Sequence, residues 1–166
     1  HGEHSEAIYT TSSYVFNSAA EAAARFSGDE KGYVYSRYTN PTVRTFEQRL
    51  AALEGAEACV ATASGMAAIY SVVVAHLQAG DSIIVSRSVF GSTNVMFEKF
   101  VRKFNIDVRY VDLLDYNAWA DAIDETTRML FLESPSNPMS EVADLQALAD
   151  LAHKHNALFV VDNCFC

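Results

Sequence analysis

The sequence predicts an α/β fold, a mostly parallel sheet with helices on both faces, preceded by an N-terminal arm. Three observations predict it. Short apolar runs such as SIIVS at 82–86 and LFVVD at 158–162 lack the in–out alternation of a half-exposed strand, as strands buried on both faces do. Between them lie longer segments whose apolar residues recur at helical spacing. The two kinds take turns along the chain, with no repeat, linker or low-complexity tract, which is the signature of a sheet with covering helices.

Each element follows from local chemistry. Residues 1–32 lack sustained periodicity apart from an alanine-rich piece at 18–26, expected to be a short helix. Residues 33–40 form a loop rich in aromatics and hydroxyls. Asn40-Pro41 starts a helix, with Asn as N-cap and Pro at the first helical position. Val43, Phe46, Leu50 and Leu53 carry its stripe, and Gly55 ends it. A strand at 58–63 and a helix at 66–77, stopped by Gly80, come next. The strand at 82–86 leads to a helix at 93–104 that turns Phe97, Phe100, Val101 and Phe104 inward. A strand at 107–111, a helix at 117–123 and a strand at 128–133 follow. The helix at 145–155 places Leu145, Leu148, Leu151 and Ala152 on one face, and the last strand is 158–162. The expected organisation is an arm and loop over residues 1–40 and an incomplete α/β domain over 41–166.

Composition narrows the function. At 166 residues and 50% apolar, the chain suits one core. Its net charge is −9, and its 12 Lys and Arg are scattered, which argues against a surface that tracks nucleic-acid phosphates. No apolar run is long enough to span a bilayer. No secretory signal is visible, although the chain starts at His1 and not at Met, so an incomplete N-terminus is expected. Three cysteines make no disulfide framework and read as reduced cytoplasmic thiols. Cys164 and Cys166 have no histidine at a zinc spacing, so no metal site is expected and small buried thiols are the simpler reading.

Ligands of open α/β sheets bind beyond the carboxyl ends of the strands, and three such ends carry polar side chains. Ser64-Gly65-Met66 joins a strand to a helix: Gly65 admits close approach, and the free N–H groups of a first helical turn favour an anion such as phosphate. Glu133-Ser-Pro-Ser-Asn-Pro138 is stiffened by two prolines, and its Asn137-Pro138 bond is a candidate cis peptide. Asp162 ends an apolar run. It either caps a following helix or meets a cation, such as a protonated pyridine nitrogen, because an unpaired buried carboxylate is strongly disfavoured.

Together these ends describe a pyridoxal phosphate (PLP) pocket, and the motifs YSRYTNPT at 35–42, ASGMA at 63–67, ESPSNP at 133–138 and VDNCFC at 161–166 resemble those of the Cys/Met-metabolism family of fold-type-I PLP enzymes. The resemblance covers nearly the whole chain, in the family's order and spacing. It implies the N-terminal part of the large domain of a PLP-dependent transferase, truncated, with residues 1–40 as the arm and inter-subunit cofactor loop. Tyr35 and Arg37 match the residues that reach the PLP phosphate of a neighbouring subunit; Ser64, Gly65 and Met66 match the phosphate turn. Asn137 matches the residue near the ring's phenolic oxygen, and Asp162 the partner of the ring nitrogen. Phe90 falls where most of the family stacks a Tyr on the ring; it keeps the stacking and lacks the hydroxyl thought to assist proton transfer. Phe90 and DNCFC most resemble the O-succinylhomoserine sulfhydrylase branch, which exchanges a succinyl ester for sulfide to give homocysteine and succinate. Cystathionine γ-synthases, cystathionine γ-lyases and methionine γ-lyases are the alternatives. The resemblance further implies a homotetramer built from dimers that share active sites.

One family feature is absent. Lys31, Lys99, Lys103 and Lys154 are the lysines of the chain, and none matches the family's cofactor-anchoring lysine. The arginine that holds the substrate carboxylate has no match either. The chain alone is therefore expected to be inactive, and a catalytically inert, assembling fragment is the reading from another class. A dinucleotide-binding domain is disfavoured by the lack of a glycine-rich fingerprint.

Overall fold

The computed structural model describes residues 4–166; His1, where the chain begins, lies outside them. The chain divides into two compact units, His1–Thr62 and Ala63–Cys166.

The first unit is built from two capped helices. Helix α1 (Ala19–Ser27) is capped by Ser18, whose hydroxyl accepts from the Glu21 N–H, and closed by Gly28 in the left-handed region. Helix α2 (Pro41–Glu54) starts as its sequence predicts: Asn40 Oδ1 accepts from the Thr42 N–H at 2.9 Å, and Gly55 ends the helix at φ 64°. Asn40 also donates through Nδ2 to the Tyr9 carbonyl and to Ser36 Oγ, both at 3.0 Å. One buried amide thus caps a helix and fastens two stretches of the preceding chain. Neither helix buries a residue, so the stripe of α2 has helical spacing but stays at least partly exposed.

The second unit carries the sheet. Strands β1 (Ser82–Ser86), β2 (Asp107–Val111), β3 (Thr127–Glu133) and β4 (Leu158–Asp162) are all parallel, in the order β2-β1-β3-β4. Alternate residues serve opposite faces. Ile83, Val85, Val108, Met129 and Phe131 face one core with Val73, Met96, Phe97 and Val101. That core is covered by α3 (Gly65–His76), α4 (Gly91–Lys99) and a 3₁₀ turn (Val101–Phe104). Ile84, Leu130 and Leu132 face the other with Trp119, Leu148 and Leu151, under α5 (Tyr116–Asp121) and α6 (Leu145–Lys154). The chain crosses from β1 to β2 over the first face and from β3 to β4 over the second, in opposite directions along the sheet. Right-handed crossovers require that change of face.

Four expectations need correction. The strand expected at 58–63 does not form: the segment runs across the boundary between the units and pairs with no strand, and the Ala61 N–H is satisfied by Glu47 Oε1 at 2.8 Å instead of by a ladder. The helix expected at 93–104 breaks after Lys99 into the 3₁₀ turn. Tightening the turn keeps Phe97 and Val101 inward but leaves Phe100 and Phe104 51% and 52% exposed. Leu145, at the first position of α6, is 37% exposed, because the helix meets the core only from Leu148 onward. Cys164 and Cys166 are exposed, not buried, since they lie beyond the last strand.

Candidate active site

The strand order reverses at β1: its successor β2 lies on one side and β3 on the other. In open α/β sheets such a reversal opens a crevice at the carboxyl ends of the two strands. Here those ends are Ser86, leading into the loop to Phe90, and Glu133, leading into the two-proline segment.

Helix α3 delivers the turn around Gly65. Ser64 caps it, its hydroxyl accepting from the Ala67 N–H at 3.1 Å. The N–H groups of Gly65 and Met66 belong to the first turn, which has no acceptors within the helix. A Cβ built on Gly65 would meet nothing within 4 Å, so the space over this turn is open to a bulky anion. Met66 packs against the first-face core. It also lines an open apolar cleft of about 800 Å³ together with Tyr70, Phe90, Met96 and Phe100. Phe90, 48% exposed, presents its ring at this cleft.

Two acids close adjacent strands. Glu133 and Asp162 are register partners at the ends of β3 and β4, and paired residues point to the same face. By alternation that face belongs to Phe131 and Val160, both packed in the same core as Met66. The Gly65 turn, Phe90, Glu133 and Asp162 therefore lie toward one face of the sheet. Glu133 is 2% exposed, and its Oε2 accepts from the Phe90 N–H at 2.6 Å. Burial pushes its carboxyl above the ordinary range, the Phe90 N–H pulls it back, and the neighbouring Asp162 adds to the rise. Asp162 is half-buried and also raised, chiefly by burial, with the Cys164 N–H opposing. The capping alternative is thus met in miniature, by a turn and not a helix. Among the described residues no basic side chain forms an ion pair with either acid.

The segment after β3 is held in place. Ser134-Pro135 and Asn137-Pro138 are both cis, the second as the sequence suggests. Ser136 N–H donates to the Glu141 carbonyl at 2.9 Å, Glu141 N–H to Ser136 Oγ at 3.1 Å, and Ala143 N–H to Ser134 Oγ at 3.3 Å. Asn137 sits half-buried within this fastened loop. Tyr35 and Arg37 belong to the first unit, where both are exposed. The Arg37 guanidinium stacks on Tyr35 and Tyr38, 5.3 and 5.2 Å from their ring centroids.

Sequence reasoning gave Glu133 no role of its own, nor Ser88 or Glu141, although Ser88 Oγ donates to Glu141 Oε2 at 3.0 Å. A signal for Glu133 was present: MLFLE ends on an acid just as LFVVD does.

Comparison with known proteins agrees with this architecture. The sequence pattern of the family described as Cys/Met metabolism PLP-dependent enzyme matches residues 1–166. An O-succinylhomoserine sulfhydrylase of Pseudomonas aeruginosa is 59% identical over 165 residues, covering 99% of this chain and 41% of its own length. Its counterpart in Mycobacterium tuberculosis is 45% identical over 163 residues, covering 98% and 40%. An L-methionine gamma-lyase of Fusobacterium nucleatum is 41% identical over 159 residues, covering 95% and 40%. Among solved structures, an O-acetylhomoserine (thiol)-lyase from Campylobacter jejuni carrying N'-pyridoxyl-lysine-5'-monophosphate superposes with a TM-score of 0.89 at 35% identity, over 96% of this chain and 39% of that one. The chain spans about 40% of the length of these curated relatives. On the strength of the match along its whole length, the chain belongs to the Cys/Met metabolism family of PLP-dependent enzymes.

Proposed function

We propose that the full-length protein is a PLP-dependent γ-replacement enzyme that converts O-succinylhomoserine and sulfide into homocysteine and succinate. This chain supplies one wall of the cofactor site. The observation that carries the reading is Asp162: a half-buried carboxylate with no cationic partner among the described residues, on the face of the sheet that also holds the Gly65 turn. The residues present fit the cofactor. The Gly65 and Met66 N–H groups suit its phosphate beside the Ser64 cap, the Phe90 ring suits its aromatic face, Asn137 its phenolic oxygen, and Asp162 its ring nitrogen. Tyr35 and Arg37, exposed and without a carboxylate partner among the described residues, suit the phosphate of a second subunit. Bound there, PLP supplies an electron sink for carbanion chemistry at the substrate.

The work of this chain's residues is then to bind, orient and hold charge. Asp162 holds the proton on the ring nitrogen by opposing its charge. Phe90 orients the ring by stacking and carries no proton, so proton transfer falls to other groups. The match of Phe90 and DNCFC to the sulfhydrylase branch, with the 59% identical relative, supports sulfide as the donor. The methionine gamma-lyase relative at 41% identity supports γ-elimination as the second reading. The free thiols suit a reducing cytoplasm, and we expect a homotetramer of site-sharing dimers.

The test is succinate release from O-succinylhomoserine by the full-length protein, with and without sulfide. Sulfide-dependent release supports γ-replacement; cleavage of methionine or cystathionine alone overturns the branch. Borohydride treatment of the 166-residue chain with PLP tests its expected inactivity: a lysine adduct at one defined position would contradict it.

A further inference from the structure

We propose that Glu133 is a positioning residue that fixes the Phe90 loop to the carboxyl edge of the sheet, with Glu141 as a second fastening point. The inference rests on the reading of Phe90 as the residue that stacks on the cofactor ring.

The geometry singles out this pair of carboxylates. The loop from Arg87 to Gly91 leaves β1 at the point where the strand order reverses, and it must be tied across to β3 if the Phe90 ring is to keep one place. Two side chains tie it. Glu133 Oε2 takes the Phe90 N–H at 2.6 Å, directly at the residue whose ring faces the cleft. Two residues earlier, Ser88 Oγ donates to Glu141 Oε2 at 3.0 Å, while the Glu141 backbone is bonded to Ser136. The loop after β1 and the loop after β3 are therefore stapled at two places. Asn137 lies in the second loop, so the staple also relates Asn137 to Phe90.

The cost of Glu133 points the same way. It is buried beside a second acid, and burial and Asp162 both oppose its ionisation. An apolar residue of similar volume would avoid that penalty. No basic side chain among the described residues offsets it. Its Oε2 accepts from the Phe90 backbone N–H. Phe90 also heads α4 with no side-chain cap of its own, so this carboxylate is what anchors the start of that helix. The contribution is positional: the acceptor oxygen is needed, the charge is not.

Substitutions in the full-length protein test this, read by the visible circular dichroism of bound PLP and by the dissociation constant of PLP as well as by turnover. Glu133→Leu keeps volume and removes the acceptor; it should diminish the dichroism and weaken PLP binding on the order of tenfold, the worth of one hydrogen bond. Glu133→Gln keeps an acceptor oxygen and should restore most of both. Phe90→Ala should alter the dichroism by itself, and the double variant with Glu133→Leu should be no worse than Phe90→Ala. Ser88→Ala, which breaks the second fastening without touching a buried charge, should give a smaller change of the same kind. Unchanged dichroism and affinity in Glu133→Leu beside an altered Phe90→Ala would overturn this inference alone, as would additive losses in the double variant. An unaltered Phe90→Ala would overturn the ring-stacking reading and this inference with it. Should Glu133→Leu fail to fold, an unchanged dichroism in Ser88→Ala overturns the fastening.

Discussion

Replacing Asp162 by Asn should raise the stability of the PLP-free protein while removing most of its turnover. Burial holds the Asp162 carboxyl above its ordinary range, and the same is true of its register partner Glu133. A carboxyl whose folded pKa is raised binds more protons folded than unfolded. Its ionisation therefore costs the folded state stability as pH rises through that raised value, and the cost is absent at lower pH. The substituted carboxamide cannot ionise, yet its oxygen can still accept from the Cys164 N–H. Relief of two like charges facing each other on neighbouring strands amounts to about 0.5–1 kcal/mol. The relatives are about two and a half times the length of this chain, and at that size each kcal/mol moves the melting point by only about 1 °C, so a gain of about 0.5–1 °C is expected. Scanning calorimetry of the PLP-free full-length protein at about pH 8 should show it, and the gain should shrink as the pH is lowered through the raised pKa of the native carboxyl. Added PLP should then stabilise the unsubstituted protein more than the variant, because only the former offers a carboxylate to the ring nitrogen. A lower melting point for PLP-free Asp162→Asn, or an equal gain from PLP in both proteins, would refute the assignment of Asp162 as an unpaired acid awaiting a cation.

The remaining predictions concern the parts that hold the site in place. Arg37→Ala should weaken PLP retention by about tenfold through lost charge-assisted contacts, with turnover at saturating PLP largely kept; fluorescence titration of PLP reads it, and a turnover loss that saturating PLP does not restore would remove Arg37 from the phosphate. Asn40→Ala loses the N-cap of α2 and strands two further partners, so urea unfolding should show a loss of about 1–2 kcal/mol. Trp119→Ala, fully buried with its indole N–H on the Leu113 carbonyl at 3.3 Å, should cost about 3–5 kcal/mol in the same assay. A cost under about 1 kcal/mol there would mean that the second-face core is not closed around that ring.

Much of the fold was legible because local chemistry and global topology agree in it. Asn40-Pro41 and Gly55 bound α2 by capping alone, and the apolar runs SIIVS, MLFLE and LFVVD, set between segments of helical spacing, became three of the four strands. The failures lie where a distant partner decides. Residues 58–63 have strand composition, but a strand exists only through its neighbours, and none lies alongside. Phe100 and Phe104 have helical spacing from Phe97, but the change to a 3₁₀ turn rotates them outward, and no single-sequence period announces that change. The candidate site divides the same way. Gly65, Asn137 and Asp162 stand at strand and helix ends that a topology rule marks in advance. Glu133 is visible in the sequence as a strand-end acid, but its partner Phe90, like the Ser88 that meets Glu141, lies more than forty residues away in the chain and emerges only with the strand order.

That separation explains why two acids at adjacent strand ends are not redundant. Glu133 and Asp162 share a register, a face and an upward shift of their carboxyls, yet their surroundings assign them different tasks. Glu133 is buried and already commits an oxygen to the Phe90 backbone, so it serves the protein's own geometry. Asp162 is half-exposed, and the hydrogen bond from Cys164 leaves acceptor capacity toward the cleft side of the sheet. A single carboxylate could not do both, since fixing Phe90 requires burial and meeting a ring cation requires access. On the proposed assignment, the raised carboxyl of Asp162 is that of an acid whose counter-charge arrives with the ligand, and that charge would also ease the repulsion felt by Glu133.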